Sequence, residues 1–327
     1  MSNQSDVISV TTNSAPSVPH EPKLTAAQGP LPSAIAAPLN RSWTVEQSFE
    51  YCTRLTRAHY ENFPVGSWLT PKSIQPAIHS LYAFMRTADD FSDEERRSGD
   101  EQERLAYLNT WEAMLSDCER GQASHPIFIA LGVTIHQYKL PVQWLRDLLA
   151  AFKLDCVVTR YPKYSDLLQY CRYSANPVGR LILTLFGYRS EELYRLSDAI
   201  CTGLQLANHW QDVAIDIEKD RVYLPQHHLE QFRVSVDDLR AKKYSENFKQ
   251  LLTMELATVR SIFDEGKALP CRVSGRLRWE LDLTWRGGVR ILDKIEAADY
   301  DVFSKRPVLN TWDWLNLLLQ SVFSRCE

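Results

Sequence analysis

Glycine and hairpin signals are scarce in this sequence, and long apolar runs are absent. The 327 residues include 12 glycines, no Asn-Gly or Asp-Gly pair, and no extended alternation of apolar and polar residues, which argues against a fold built on β-sheet. No stretch approaches the roughly eighteen consecutive apolar residues of a membrane-spanning helix. The formal net charge is −4, so the sequence predicts no general attraction to nucleic acid.

Cysteine pairs with metal-binding or redox spacing are also missing. The 7 cysteines are scattered singly, without a Cys-x-x-Cys motif, which predicts free thiols in a reducing compartment rather than a disulfide framework. The N-terminus lacks the basic and apolar regions of a secretory signal. The protein is therefore expected in the cytoplasm.

What remains is the pattern of a helical protein. Residues 1–40 are rich in Ser, Thr, Pro and Ala, so we predict a disordered tail there and one all-α domain over residues 41–327. Apolar residues in that domain recur every three or four positions, as on one face of a helix. This periodicity predicts helices over 44–60, 73–94, 101–120, 125–138, 141–154, 164–174, 177–187, 191–218, 235–241, 245–267, 274–297 and 310–323.

A cluster of aspartates closes the second predicted helix. Asp89 and Asp93 lie one turn apart on a helix, and Asp90 is beside them. Mg²⁺ prefers such hard oxygen ligands and is commonly held by one or two carboxylates together with substrate phosphates. Further charged residues follow at 94–97, so a solvated acidic helix end explains this cluster equally well when it is taken alone.

A second oxygen-rich pattern falls within the longest predicted helix. Asn208, Asp212 and Asp216 are spaced four residues apart and form one stripe on a continuous helix, with Gln205 inside it. No basic residue interrupts this stripe before Lys219, whereas an ordinary solvated face mixes both signs of charge. A metal site is therefore favoured over a solvated face.

Two oxygen-rich stripes on separate helices suggest one shared site, because helical bundles build metal sites from side chains on facing helices. A cation bound there would hold a diphosphate and stabilise the negative charge that develops as it leaves. Four basic residues are candidates for contact with the phosphate oxygens: Arg86, Arg180, Lys219 and Arg221.

With both patterns in place, the sequence resembles the squalene and phytoene synthase family, the head-to-head branch of the trans-isoprenyl diphosphate synthases. The likeness covers roughly residues 45–307. Four further segments carry it: Tyr82-Ala83-Phe84-x-Arg86, Tyr170-Cys171-Arg172-Tyr173, Pro177-Val178-Gly179-Arg180 and Arg221-Val222-Tyr223-Leu224-Pro225.

The resemblance implies an isoprenoid synthase-type bundle of helices around a central cavity, and a magnesium-dependent enzyme acting on a prenyl diphosphate. It also implies three overlapping sets of site residues. The expected Mg²⁺ ligands are Asp89, Asp90, Asp93, Asn208, Asp212 and Asp216. The expected substrate-binding residues are Phe63, Arg86, Arg180, Gln205, Arg221 and Tyr223. The expected catalytic residues are Asp89, Asp93, Asp212, Asp216, Tyr82 and Tyr170.

Within the family, segments 60–65, 174–180 and 210–214 are most similar to the branch of bacterial hopanoid biosynthesis. That branch converts presqualene diphosphate into hydroxysqualene and pyrophosphate by ionisation, rearrangement of the cation and capture of water. Two positions depart from the family pattern. His209 stands where an apolar aromatic is expected, which would alter water access, and Asp220 stands in place of glycine and is not counted as a ligand.

Three other functions stay open. A sister enzyme would use the same metal site to condense two prenyl diphosphates into presqualene diphosphate, squalene or phytoene. A non-catalytic isoprenoid-binding partner would be expected to lack an aspartate from one motif, and both motifs are intact. If the chain is a plain helical interaction protein, Asp89→Ala or Asp212→Ala would leave Mg²⁺ binding unchanged.

The expected partners follow from this chemistry. They are presqualene diphosphate or another prenyl diphosphate, and neighbouring squalene-pathway enzymes. Membrane contact is expected to be peripheral at most. The apolar segment 311–323 contains Trp312 and Trp314 and is open to two interpretations, an interfacial helix or an ordinary core helix.

Overall fold

The protein is built from α-helices. The computed structural model describes Leu39 and residues 42–58, 70–93 and 101–323. Within these ranges there is no strand, and an isolated bridge joins Arg160 to Val222, so the predicted all-α class is confirmed. The predicted tail over 1–40 lies, apart from Leu39, outside the described residues. The helices are α1 (Val45–Ala58), α2 (Gln75–Asp93), α3 (Glu101–Glu119), α4 (Pro126–Tyr138), α5 (Val142–Val157), α6 (Tyr164–Ser174), α7 (Asn176–Leu185), α8 (Glu191–Gln211), α9 (Val213–Asp216), α10 (Gln226–Gln231), α11 (Val236–Arg240), α12 (Glu246–Gly266), α13 (Leu269–Arg272), α14 (Gly275–Ala297) and α15 (Thr311–Phe323).

Local signals account for several helix starts. Pro126 opens α4, and His125 Nδ1 accepts a hydrogen bond from the Ile127 amide (3.2 Å). The hydroxyl of Ser245 caps α12 by accepting from the Phe248 amide (3.2 Å). Each of these caps satisfies an amide that the first turn of the helix leaves without a partner.

Two apolar clusters form the interior. The first surrounds the fully buried Trp111 of α3, which packs on Phe84 of α2 and Phe128 of α4. The second contains Trp210 of α8 and Phe263 of α12. The two clusters form one continuous interior because three side chains pack against both: Trp144, Ile182 and Phe186.

The helix predicted over 191–218 is wrong in one respect, because it is not continuous. α8 ends at Gln211, Asp212 leaves the helical conformation (φ −106°, ψ 12°), and α9 then leads into a 3₁₀ turn at Ile217–Lys219. The break lies where the side chains of Gln211 and Asp212 are held by residues that follow α14. That contact joins positions 94 or more residues apart, so local periodicity gives no sign of it.

Two further predictions need correction. α10 and α13 were not predicted, since six and four residues are too short to show helical periodicity.

Five cysteines are free thiols as predicted, at positions 52, 118, 156, 171 and 201. Cys271 is disulfide-bonded, so the prediction of free thiols is wrong there, because the spacing of single cysteines does not reveal which of them meet in the fold.

α7 and α8 pack closely and run antiparallel. Asn176 Oδ1 accepts from Thr202 Oγ1 (2.9 Å) near one end, and Thr184 shares a hydrogen bond with Tyr194 (3.0 Å) near the other. The first residues of α7 therefore lie beside the middle of α8, about 9 Å along the helix before Asn208. Gly179 permits this approach, because a Cβ there would lie 2.2 Å from Ser197 Oγ.

Adjacent glycines of α14 provide a test of this close packing. A Cβ on Gly288 would lie 2.5 Å from Phe263 Cζ and 2.8 Å from Leu204 Cδ2. We expect Gly288→Ala to lower the free energy of unfolding by about 1–3 kcal/mol through overpacking, as measured by urea unfolding.

The matched control is Gly287→Ala. Its Cβ would meet only Leu309 Cδ1 at 3.6 Å, so stability is expected to stay the same or rise by up to about 1 kcal/mol, because alanine favours helix. Equal losses for the two variants would contradict the packing described for α8, α12 and α14.

Candidate active site

The first aspartate motif lies in the last turns of α2 and is held by an arginine from the same helix. Arg86 Nη1 donates to Asp89 Oδ2 (3.0 Å), and Arg86 Nη2 lies 2.6 Å from Asp90 Oδ1. The Asp89 side chain is 44% exposed and that of Asp90 29%, so both carboxylates are reachable from solvent. Asp93 is the last residue of α2, and its side chain lies outside the described residues.

The second motif surrounds the break between α8 and α9. Asn208 is exposed, whereas Asp212 and Asp216 are half-buried. Both Asp212 oxygens accept from the guanidinium of Arg306, through Nε and through Nη2 (3.0 Å). This bidentate pair is the strongest kind of arginine–carboxylate contact. Arg306 was missed by sequence reasoning, since it follows α14 and belongs to no motif.

An aromatic cluster lies behind the second motif. The ring of His209 stacks on Tyr223, with centroids 3.6 Å apart and planes 15° from parallel, and Tyr170 lies 6.1 Å from both rings. The Gln205 amide nitrogen is 3.4 Å from His209 Nε2. The structure therefore brings together Tyr170, Gln205 and Tyr223, three of the predicted site residues, around a histidine.

Asp155 of α5 supports this cluster and was also missed. Its carboxylate accepts from the Tyr170 hydroxyl (3.1 Å), and its backbone carbonyl accepts from Arg221 Nη2 (3.4 Å). Arg221 is 8% exposed, so this predicted phosphate contact is a buried cation beneath the motif. A small cavity is lined by Asp216, His209, Arg221 and Tyr223, so one motif aspartate and the cluster border the same space.

The cluster is electrically neutral at its rings. Burial, with a smaller effect from Arg221, lowers the pKa of His209 to about 3, so its imidazole is neutral at physiological pH. Burial and the neighbouring Asp155 raise the pKa of Tyr170 well above its usual range, so its hydroxyl keeps its proton. Neutral aromatic faces of this kind attract a cation that passes over them.

An apolar cavity lies between α2 and α7. It is lined by Tyr82 and Met85 of α2 and by Val178 and Ile182 of α7, among others. Tyr82 precedes Arg86 by one turn, and the start of α7 lies beside the middle of α8. The cavity thus lies next to the helices that carry both motifs. That the two motifs meet across it stays a prediction.

One predicted contact is not found in this arrangement, and two others stay predictions. Arg180 pairs with Asp198 (Nε to Oδ1 2.9 Å, Nη2 to Oδ2 2.5 Å) and lies against Trp144. Asp198 precedes Asn208 by ten residues of α8, a distance of about 15 Å along the helix, so the structure does not bring Arg180 to the aspartates. Lys219 is exposed in the 3₁₀ turn. Phe63 lies outside the described residues.

The donor chemistry of the two motifs fits Mg²⁺. They offer carboxylate and amide oxygens, the hard ligands that this ion prefers. Among the described residues, no three His, Cys, Asp or Glu side chains converge closely enough to hold an ion by themselves. A magnesium site of this type needs only one or two carboxylates from each helix, because phosphate oxygens and water complete the coordination.

Comparison with known proteins decides the family. A sequence model of squalene/phytoene synthase matches residues 56–313, a range that includes both aspartate motifs. The chain belongs to the squalene/phytoene synthase family. It is accordingly an enzyme of the type that processes prenyl diphosphates, with the isoprenoid synthase fold expected from the resemblance.

Similar members of the family carry out different reactions. The hydroxysqualene synthase of Rhodopseudomonas palustris is 35% identical over 241 residues, which cover 73% of this chain and 80% of that protein. The chloroplastic phytoene synthase 1 of Arabidopsis thaliana is 30% identical over 266 residues, 80% of this chain and 62% of that protein. The crystal structure of squalene synthase HpnC from Alicyclobacillus acidocaldarius shares 41% identity and superposes with a TM-score of 0.74, covering 78% of this chain and 95% of that one.

The second departure from the family pattern has a backbone explanation. Asp220 has φ 55° and is in the left-handed conformation, which glycine adopts most readily and aspartate tolerates. Its carboxylate pairs with Arg160 (2.6 Å) and Arg240 (3.1 Å), and these hydrogen bonds lower its pKa. These contacts are consistent with leaving Asp220 out of the predicted ligand set.

The buried His209 gives the enzyme a measurable pH dependence of stability. Its folded-state pKa of about 3 lies below the value of roughly 6.5 for an exposed histidine, so the unfolded chain binds more protons between these two values. Stability from this group is complete above pH 6.5 and falls as the pH drops. We expect the wild type to lose about 2 kcal/mol more than His209→Phe between pH 7 and pH 5.

Urea unfolding of both proteins at the two pH values measures this difference. The exposed His136 provides the control, and His136→Phe is expected to follow the wild type. Parallel pH dependences of the wild type and His209→Phe would contradict a buried neutral imidazole.

Proposed function

We propose that this enzyme converts presqualene diphosphate and water into hydroxysqualene and pyrophosphate, with Mg²⁺ as the metal. The observation that carries the diphosphate chemistry is a pair of acidic motifs, each paired with an arginine, at the ends of α2 and α8. The choice of reaction is supported by the similarity to named hydroxysqualene synthases at 35% and 34% identity.

The motif residues hold the metal and the leaving group in this proposal. Mg²⁺ would be held by Asp89, Asp90, Asp93, Asn208, Asp212 and Asp216. Bound there, it would stabilise the negative charge that collects on the departing pyrophosphate. Arg86 and Arg306 each pair with carboxylates of one motif. In this proposal their guanidinium groups donate hydrogen bonds to the phosphate oxygens held beside those carboxylates.

The apolar surfaces guide the organic cation. The carbon–oxygen bond to the diphosphate breaks, and its electron pair leaves with pyrophosphate. Tyr82 on the apolar cavity between α2 and α7 and the stacked rings of Tyr223 and His209 present aromatic faces to the rearranging cation. Exclusion of bulk water by these surfaces prevents early capture of the cation.

Water capture requires a polar position in an otherwise apolar space. Gln205 and the neutral His209 supply such a position, since their nitrogens lie 3.4 Å apart within the aromatic cluster. A water molecule held there adds its oxygen to the cation and releases a proton to a neighbouring base or to pyrophosphate. An apolar aromatic at position 209 would lack this polar edge.

A second reaction is favoured by one observation. Phytoene synthases are similar to the chain at 27–30% identity over 266–296 residues, so condensation of two prenyl diphosphates is the alternative activity. The same motifs and the same metal would serve it. A non-catalytic isoprenoid-binding role ranks lower, because neither motif has lost an aspartate.

Product analysis without a reductant distinguishes these reactions. We expect the purified protein to convert presqualene diphosphate to hydroxysqualene when Mg²⁺ is present, and to stop when it is chelated. Asp89→Asn and Asp212→Asn are each expected to lower turnover by about 100-fold or more, because each removes a carboxylate that would hold the Mg²⁺ facing the developing anion.

The matched control is Asp117→Asn, which alters a half-buried aspartate near the end of α3 that pairs with Arg120, just beyond that helix, and is expected to act as wild type. If the protein turns over farnesyl or geranylgeranyl diphosphate and does not turn over presqualene diphosphate, the proposed reaction is wrong and the condensing reaction takes its place.

A further inference from the structure

α15 is oriented by its single charged residue, which points inward. Asp313 is 4% exposed and accepts from Arg290 Nε (2.9 Å) and Lys294 Nζ (2.6 Å) of α14. It also accepts from the Asn310 amide (2.9 Å), and these contacts hold its pKa well below the usual range. The buried side of α15 is therefore fixed by charge, and among the described side chains of this helix Leu317 and Ser321 are buried beside Asp313.

The outward side of α15 is largely apolar, with the uncharged polar residues Thr311, Asn316 and Gln320 exposed beside the apolar ones. Trp312 is 74% exposed and Leu319 50%, and the rest of the face carries no formal charge. A helix at the surface of a globular protein normally shows the opposite orientation, with its apolar side against the core. The outer face, which we call the α15 face, consists of Val308, Trp312, Trp314, Leu315, Leu318 and Leu319.

Other exposed large apolar residues in the described chain are dispersed. They are Val45, Val157, Ile215 and Tyr244, and they come from four different parts of the sequence. Scattered residues of this kind are normal on protein surfaces, whereas a contiguous apolar face marks a surface that another apolar phase covers.

The α15 face is joined to the candidate active site by the chain segment that precedes the helix. The segment that precedes α15 contributes Arg306 to Asp212, and its Pro307 carbonyl accepts from the side chain of Gln211. Leu309 of the same segment packs next to Gly287 of α14. Whatever covers α15 therefore lies close to the second aspartate motif.

We propose that the α15 face inserts into the interfacial region of a lipid bilayer. Two tryptophans beside leucines, without charge, suit the boundary between head groups and acyl chains. The inference rests on the proposed function, because a C30 alcohol product and the C30 chain of its diphosphate substrate partition into acyl chains and not into water. Since none of the described helices has the length and hydropathy to span a membrane, this contact lies on one surface of the bilayer.

The uncharged face makes a specific prediction about the lipid. Binding driven by apolar area does not require anionic head groups and does not weaken with salt. Binding through basic residues requires anionic head groups and weakens as salt rises. The full-length protein is therefore expected to bind vesicles of pure phosphatidylcholine, and to bind them equally well at low and high salt.

Flotation with phosphatidylcholine vesicles tests this inference. We expect the wild type to float with the vesicles, and a triple variant Trp312→Ser, Leu315→Ser and Leu319→Ser to bind at least about tenfold more weakly. The matched control replaces three dispersed apolar residues, Val45→Ser, Val157→Ser and Tyr244→Ser, and is expected to float as wild type. Circular dichroism of each variant verifies that it is folded.

Three results would overturn the inference. One is equal flotation of the wild type and the α15 variant, and another is binding that requires phosphatidylglycerol and is lost in high salt. The third is a wild type that stays off the vesicles but forms a dimer that the α15 variant disrupts, which would assign the face to a second copy of the chain.

Turnover in detergent separates this inference from the proposed function. Absence of vesicle binding together with conversion of presqualene diphosphate removes the membrane contact alone. Vesicle binding without conversion of that substrate removes the proposed reaction, and the α15 face stays a lipid-binding surface.

Discussion

The arrangement of this enzyme depends on the need to neutralise clustered carboxylates. Aspartates one helical turn apart repel each other unless a cation is near. In the first motif Arg86 contacts both Asp89 and Asp90, and in the second Arg306 grips Asp212 with two hydrogen bonds. Arginine suits this role because its fork of donors matches a carboxylate and matches a phosphate equally well.

The charged residues of the two motifs lie at the end of α2 and at the α8–α9 junction, and the aromatic rings beside the second motif are neutral. Burial lowers the pKa of His209 and raises that of Tyr170, so both rings carry no charge although they lie close to an acidic motif. Arg221 is a buried cation that lines the same cavity as His209 and Tyr223. Its hydrogen bond to the Asp155 carbonyl holds it beside the second motif. An anion-binding end next to an uncharged aromatic wall suits a reaction that separates pyrophosphate from a carbocation.

Local patterns in the sequence were enough to predict most of the helices and the first motif, which lies within one helix. The second motif was predicted from its spacing on a continuous helix, although the helix is broken at Asp212. Contacts between distant segments were beyond that reasoning. Arg306 contacts Asp212, and Asp155 contacts Tyr170, from distant parts of the sequence. No local pattern marks either residue. The same limit explains Arg180, whose guanidinium faces Asp198 in the neighbouring helix instead of the diphosphate. It also explains α15, whose apolar side was open to two interpretations until Asp313 fixed its orientation.

The most direct test of the account is the position of the metal. A crystal structure of the enzyme grown with Mn²⁺ and pyrophosphate, with anomalous scattering at the manganese edge, locates the ion without reference to activity. The account predicts anomalous peaks contacted by carboxylates from both α2 and the α8–α9 junction, with the pyrophosphate between them and within reach of Arg86 and Arg306. Peaks at only one motif, or none near either while pyrophosphate binds elsewhere, would contradict a shared metal-diphosphate site.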